Sequence, residues 1–254
     1  MVCARNQDDV AHAVDSLRRL APAGTVVDGA VLDVTDRRAC DDVVAHAVAA
    51  LGRVDVLVNS AGVLGPVGAF DAVDWDAWVD AVTVNLVGSA AMCQAVLPVL
   101  RAAGGGAIIQ LSGGGATKGQ PRRSAYAASK AGIVRFVETL ALEVADAGIT
   151  VNAIAPGAVN TRFLDDLLAA GADHAGPEAW AEAQRQQASG GASPEAAAQL
   201  SVLLASDRGR GITGRLISAI WDDWEHLPDH LDELDGSDAL MLRRVVPAFV
   251  ERPS

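Results

Sequence analysis

The only tyrosine of the chain, Tyr126, lies four residues before Lys130, which is one of just two lysines among 20 basic residues. Positions i and i+4 of a helix share a face, so a helical "YAASK" segment projects both side chains together. A free phenol has a pKa of about 10, and a nearby ammonium lowers that pKa. The pair could therefore exchange a proton with a carbonyl or alcohol oxygen. A surface tyrosine and lysine would show the same spacing.

The elements that must position this pair alternate along the chain as strand and helix. Apolar β-branched runs predict strands within 25–34, 54–59, 107–112, 148–156 and 215–220, and helical patterns cover 37–51, about 75–101 and 124–147. This alternation predicts an α/β fold with a doubly wound parallel sheet in three α/β/α layers. Ligands of such a sheet bind beyond the carboxyl ends of its strands.

The 254 residues are expected to form a single domain. Within it we distinguish a core (1–220), a substrate-loop region (157–194) and an acidic C-terminal tail (221–254). His226 and His230 of the tail flank Pro228, and they are expected to lie on a solvated acidic face without a metal.

Composition and charge narrow the classes of partner. The net charge is −12, which argues against nucleic acid and anionic membrane. No apolar run is expected to reach the roughly 18–20 residues of a membrane span, and the N-terminus lacks the apolar stretch of a secretory signal. Three scattered cysteines suit neither a disulfide framework nor a zinc site. We therefore expect a cytoplasmic protein.

Six segments between residues 32 and 218 resemble, in order, motifs of the short-chain dehydrogenase/reductase (SDR) family. "YAASK" is similar to its Tyr-x-x-x-Lys signature, "NSAG" (59–62) to its Asn-Asn-Ala-Gly, and "VNLVG" (84–88) to the helix that carries its asparagine. The others are "LDVTD" (32–36), "NAIAPGAVNT" (152–161) and "GITGRLIS" (211–218). The resemblance implies a single Rossmann-like domain.

The chemistry that the resemblance implies is hydride transfer between a nicotinamide and a ketone or secondary alcohol. Tyr126 would pass the proton, and Lys130 would lower its pKa and bind the nicotinamide ribose. Asn85 would hold a water that links Lys130 to solvent. Ser112 would orient the substrate oxygen, although the family's usual spacing points to Gly113, so a missing orienting hydroxyl stays open.

The resemblance also implies a set of cofactor contacts. They include Tyr126 and Lys130, and the remaining positions are Asp33, Val34, Asn59, Ala61, Gly62, Pro156, Gly157, Val159 and Thr161. Arg5 follows a short strand at the place where the family selects its cofactor, and an arginine there suits the 2′-phosphate of NADP. We therefore favour NADP and leave NAD as the alternative.

One departure from the family is large. Before Asp33 there is no Gly-rich turn of the T-G-x-x-x-G-x-G kind, and "MVCARNQDD" resembles the start of the family's second strand. Without a central first strand, backbone groups would be left unpaired at about 1–3 kcal/mol each. Either the flanking strands pair directly or Met1 is not the true start, and we favour the second.

Three functions fit these observations. The first is an NAD(P)-dependent oxidoreductase of a small-molecule alcohol or carbonyl compound. The second, a sugar-nucleotide epimerase or dehydratase, usually needs a longer chain. The third, a non-catalytic binding module, would explain the missing turn and Gly113, but it would not need Tyr126, Lys130 and Asn85 together. The resemblance further implies a homodimer or homotetramer paired through the two long helices.

Overall fold

The computed structural model describes residues 1–245 as alternating parallel strands and helices. The strands are β1 (Val2–Ala4), β2 (Gly29–Val31), β3 (Val56–Asn59), β4 (Gly106–Leu111), β5 (Ile149–Ala155) and β6 (Leu216–Ser218). The helices are α1 (Gln7–Leu20), α2 (Arg37–Leu51), α3 (Trp75–Val82), α4 (Ser89–Ala102), α5 (Ser124–Glu143), α6 (Arg162–Ala175), α7 (Pro177–Ser189), α8 (Glu195–Ala205) and α9 (Leu231–Leu234). Each predicted strand and helix is present, and most are shorter than predicted.

The larger sheet has the order β3-β4-β5-β6 with parallel pairing throughout. Successive side chains of a strand point to opposite faces, so Ile108 and Ile109 enter different halves of the core. Ile108 packs with α2, α4 and α5, whereas Ile109 packs with α8 and β6. Helices therefore cover both faces of the sheet, and the predicted three-layer Rossmann-like α/β fold is confirmed.

The sheet is divided in two. Strands β1 and β2 pair only with each other among residues 1–245, and a cleft of about 1140 Å³ separates β1 from β3. Val56 and Val58 of β3 line this cleft and remain 37% and 47% exposed. Direct pairing of the two flanking strands, one of the outcomes expected from the sequence, does not occur in this part of the chain.

A continuous helical segment runs from Trp75 to Ala102 and includes a π-helical stretch, Thr83–Gly88, between α3 and α4. Its 28 residues have a mean hydropathy of 1.6, so by length and composition it could cross a membrane, contrary to our expectation. Its inner face instead carries core residues such as Met92, Val96 and Leu100. Helices at the centre of water-soluble proteins have the same composition.

The substrate-loop region folds mainly as α6 and α7, and the part of the tail that the structure describes includes α9. Arg215 donates to the carbonyl oxygens of Leu234, Ser237 and Ala239 and so fixes the tail to the core. His226 Nδ1 lies 2.8 Å from Asp223 and His230 Nδ1 lies 2.9 Å from Glu233. Each of these exposed histidines is paired with its own carboxylate.

Candidate active site

Helix α5 places Tyr126 and Lys130 at the carboxyl end of β4. Lys130 is only 3% exposed, and its Nζ donates to the carbonyl oxygen of Leu111 over 2.7 Å. The same ammonium lies 5.8 Å from the centre of the Tyr126 ring. The two side chains therefore project together, as the i, i+4 spacing predicts, and the surface alternative does not hold for either of them.

Burial controls the protonation of both groups. It lowers the pKa of Lys130 from 10.5 to about 8, because folding removes the ammonium from water. Burial also raises the pKa of Tyr126, and the charge of Arg123 opposes this rise. In this arrangement the phenol is therefore neutral at physiological pH. The lowering of its pKa expected from Lys130 is not seen, because burial has the largest effect on this phenol.

Asn85 sits in the π-helical stretch and clamps the loop that follows β3. Its Oδ1 accepts from the Val63 N–H over 2.8 Å, and its Nδ2 donates to the Val63 carbonyl and to Ser129 Oγ over 2.9 and 3.0 Å. Ser129 Oγ in turn donates to the Tyr126 carbonyl over 2.8 Å. Both amide hydrogens of Asn85 are thus engaged in hydrogen bonds that hold the loop and α5. The π-helical turn that carries Asn85 is a feature that recurs at functional sites.

The predicted orienting serine and its alternative, Gly113, occupy different sides of the chain after β4. Ser112 is 4% exposed, and its hydroxyl donates to the Lys130 carbonyl over 3.4 Å. A Cβ built at Gly113 would lie only 2.4 Å from Tyr126 Oη. The position that faces the phenol is therefore Gly113, and this geometry favours the alternative in which no side-chain hydroxyl stands there.

Glycines bring backbone close to the reactive groups. A Cβ at Gly115 would meet the Tyr126 ring at 3.3 Å, and one at Gly62 would come within 3.1 Å of Asn85 Oδ1 and 3.7 Å of Lys130 Nζ. Gly62 thus brings the main chain after β3 close to the ammonium with no side chain between them. A nicotinamide ribose that hydrogen-bonds to Lys130 needs this space beside the ammonium, so these residues fit that group.

The remaining predicted cofactor residues fall into two sets. Arg5, Val34, Asn59, Ala61 and Gly62 line the cleft between β1 and β3, together with Arg162, which the sequence analysis missed. Asp33 lies next to Val34 of this first set, and its carboxylate accepts hydrogen bonds from the N–H and the hydroxyl of Thr35. These two bonds, together with the charge of Arg5, hold the pKa of Asp33 below its usual value.

The second set, Pro156, Gly157, Val159 and Thr161, follows β5 and leads into α6. Gly157 has a φ of +88°, a conformation that favours glycine, and a Cβ there would meet Ile220 at 2.6 Å. Val159 forms an isolated parallel bridge with Ala192. These residues therefore lie at the carboxyl end of the larger sheet but do not line the cleft.

Helices α6 and α7 form a cap over Tyr126, defined here as residues 162–189. Phe163 of α6 packs edge-to-face on the Tyr126 ring, with ring centres 5.7 Å apart. Leu64, Leu164 and Leu167 are buried in the same cluster, and Trp180 joins it from α7. The phenol therefore faces an apolar enclosure, whose members were not singled out from the sequence because they carry no polar motif.

Arg123 is a further residue that the sequence analysis passed over. Its guanidinium is partly buried, and its Nε has no hydrogen-bond partner within residues 1–245. Burial lowers its pKa, while the charges of Glu182 and Tyr126 oppose that change. It therefore adds a positive charge beside the phenol on the side of the cap.

A buried Tyr–Lys pair at the carboxyl edge of a Rossmann-like sheet defines a nicotinamide-dependent oxidoreductase as the class of protein. Comparison with known proteins agrees. A family model described as short chain dehydrogenase matches residues 1–170. The chain belongs to the short-chain dehydrogenase/reductase family.

Relatives and solved structures extend this assignment. The chain is 36% identical over 195 residues to 3-oxoacyl-[acyl-carrier-protein] reductase FabG of Thermotoga maritima, covering 75% of this chain and 74% of that protein. It is 40% identical to a ketoacyl reductase of the granaticin polyketide synthase from Streptomyces violaceoruber, covering 63% of this chain but only 58% of that protein. A variant of actinorhodin polyketide ketoreductase with NADPH is similar at a TM-score of 0.76 and 30% identity, covering 85% and 84%.

The family relation makes the chain an NAD(P)-dependent oxidoreductase that acts on ketones and secondary alcohols. This confirms the enzyme among the three functions drawn from the sequence. Its relatives act on small-molecule substrates, and the group that it uses is a nicotinamide cofactor.

Proposed function

We propose that this enzyme reduces a ketone with NADPH and that Tyr126 donates the proton. The observation that carries the proposal is the neutral, buried phenol of Tyr126, which lies beside Lys130 in the apolar enclosure under the cap. A neutral phenol is the form that donates a proton, so the resting site suits carbonyl reduction more than alcohol oxidation. We further propose that the enzyme is cytoplasmic.

Bound nicotinamide supplies the hydride, and the chain's own residues supply binding and protonation. Tyr126 Oη donates its proton to the substrate oxygen as negative charge develops there. Lys130 has a pKa of about 8, so it is largely protonated at neutral pH and stabilises the phenolate that remains. Its Nζ would also hold the ribose hydroxyls beside Gly62, where no side chain stands between the main chain and the ammonium.

Reprotonation of Tyr126 needs a path from solvent. Since the Asn85 amide hydrogens are both used on Val63 and Ser129, we propose that the water of the relay donates a hydrogen bond to an oxygen atom of Asn85. In this proposal the Ser112 hydroxyl does not contact the substrate but positions Lys130 through the bond to its main-chain carbonyl. Tyr126 orients the substrate oxygen alone, because the position beside its hydroxyl is Gly113.

Arg5 supports the choice of NADPH. Arg5 lines the cleft between β1 and β3, and its charge lies near Asp33. Arg162 also lines this cleft. A guanidinium binds a phosphate through charge-assisted hydrogen bonds worth about 1.5–3 kcal/mol. Arg162 provides the cleft with a second cation, which would bind the pyrophosphate of the cofactor.

We expect Arg5→Glu to lower the ratio of kcat/KM for NADPH to that for NADH by roughly 10- to 100-fold. The measurement follows the loss of reduced-cofactor absorbance with a panel of ketones. Arg19→Glu makes the same charge change at the far end of α1 and should leave the ratio unchanged. Absence of turnover by the unaltered protein with every ketone, together with unchanged NADPH fluorescence on mixing, would rule out the proposed function.

We also propose that the enzyme is a homodimer or homotetramer. The long helices keep apolar side chains on the surface, namely Val79, Val87 and Leu142. Such a face is buried at low cost by a second copy in a symmetric contact. Light scattering at micromolar concentration should give a mass of two or four chains, and a monomer would contradict the proposal.

A further inference from the structure

Arg122, two residues before α5, connects the start of this helix to the cap. Its guanidinium Nη1 donates to the carbonyl oxygens of Asp173 and His174 over 2.6 and 3.2 Å. Both carbonyls belong to the last turn of α6, where the oxygen atoms have no partner within the helix. A cation at a helix carboxyl end also complements the helix dipole. Arg122 therefore caps α6 with its charge and its hydrogen bonds together.

The backbone of Arg122 is held in an unusual conformation. Its φ is +64°, in the left-handed region that residues with a Cβ adopt rarely. Its carbonyl accepts from the Gly68 N–H over 2.9 Å, which ties it to the loop after β3. Backbone outliers of this kind persist where the surroundings fix them, often beside active sites. Here the outlier lies four residues before Tyr126.

Helix α6 of the cap is not continuous, so its second half depends on contacts with other parts of the chain. Helix α6 is interrupted at Gly171, where φ is +74° and ψ is 168°, and it ends at Gly176 with φ +86°. Trp180 Nε1 donates to the Leu168 carbonyl over 3.2 Å across the interruption. A Cβ at Gly176 would lie 3.4 Å from Arg122 Cδ. Arg122 thus holds the second half of α6, whereas Phe163 at its start packs on Tyr126.

We propose that Arg122 is a positioning residue that latches the cap over Tyr126 and so sets the affinity for the carbonyl substrate. The proposal rests on the proposed function, because the cap is taken as the wall of the substrate site. Arg122 does not reach the reacting atoms. It acts through α6, which carries Phe163 and the leucines that enclose the phenol.

The test compares two substitutions at this position. Arg122→Gln removes the charge and the guanidinium donor, whereas Arg122→Gly also relieves the strain of the left-handed backbone conformation. Both should raise KM for a ketone about tenfold, the loss expected for a hydrogen-bonded contact, while kcat changes less than twofold. Both should also speed tryptic cleavage after Arg185 of α7, because the cap opens more often. Arg122→Lys keeps a cation there and should fall between these variants and the unaltered protein.

Arg208→Gln is the matched control. Arg208 is also an exposed arginine that donates to a main-chain carbonyl, that of Glu225 over 3.2 Å, but it lies outside the cap. It should leave KM and cleavage after Arg185 unchanged.

Wild-type KM or unchanged tryptic cleavage in folded Arg122→Gly would overturn the latch. If the unaltered protein turned over no ketone, the proposed function would fail, and the tryptic comparison would still decide whether Arg122 holds the cap.

Discussion

Tyr126→Phe should lower kcat/KM for ketone reduction by about 10²–10⁴-fold, the usual contribution of a positioned proton donor. The change removes only the hydroxyl and keeps the ring that packs on Phe163. No hydrogen bond joins that hydroxyl to another of the residues 1–245, so the melting temperature should stay the same. Steady-state kinetics with NADPH and thermal melts measure the two effects.

Trp221→Phe provides the comparison for Tyr126→Phe. Trp221 is 86% exposed, and its substitution should alter neither turnover nor melting. Near wild-type turnover in Tyr126→Phe would show that another group donates the proton. A large fall in melting temperature would show instead that the hydroxyl stabilises the fold.

Lys130→Met should remove turnover and, at neutral pH, increase the free energy of unfolding. The reduction of the Lys130 pKa from 10.5 to about 8 means that folding disfavours its charged form, by about 3 kcal/mol at most. Loss of the bond to the Leu111 carbonyl offsets part of this gain. Thermal melts at pH 7 should therefore show a more stable but inactive variant, a common trade at functional sites.

The pH dependence gives a sharper test of the same residue. Unfolded Lys130 keeps its proton up to about pH 10.5, whereas the folded protein releases it near pH 8. Because the unfolded state binds more protons between these values, wild-type stability gains from this group as pH rises. The advantage of Lys130→Met should thus be largest below pH 8 and vanish near pH 10.5.

Lys118→Met changes the only other lysine of the sequence, whose side chain is exposed, and it should leave both turnover and the melting temperature at pH 7 unchanged. Lys130→Arg should also lose most turnover, since a planar guanidinium cannot replace a compact ammonium beneath a ribose. An active Lys130→Arg, or a Lys130→Met less stable than wild type at pH 7, would contradict the role given to this buried cation.

Much of the fold and the central pair could be predicted from the sequence because both depend on local spacing. The i, i+4 relation of Tyr126 and Lys130 and the alternation of strands with helices are visible along the chain. The choice between Ser112 and Gly113 was not resolved, because one residue along an extended chain reverses the side to which a side chain points. Only the folded structure shows that Gly113 faces the phenol.

Contacts that join distant parts of the chain had no local signal. Arg122 meets Asp173 across 51 positions, and Asn85 meets Ser129 across 44. Arg162 reaches the cleft only because α6 begins beside it. The pKa of Tyr126 was misjudged for a similar reason: spacing reports the nearby ammonium but not the burial, which has the larger effect.

The cleft between β1 and β3 gives the two parts of the sheet unequal resistance to local unfolding. Strands β4 and β5 are each bonded on both sides, whereas β1 is bonded only to β2 within residues 1–245 and is covered chiefly by α1. Segments with few neighbours open at lower free energy than the core, and their amides exchange hydrogen with solvent sooner. The amides of β1 and β2 should accordingly exchange well before those of β4 and β5. Because Arg5 directly follows β1, a nicotinamide cofactor bound beside Arg5 should slow this exchange. The affinity for the cofactor would then depend on how often this part of the molecule is closed.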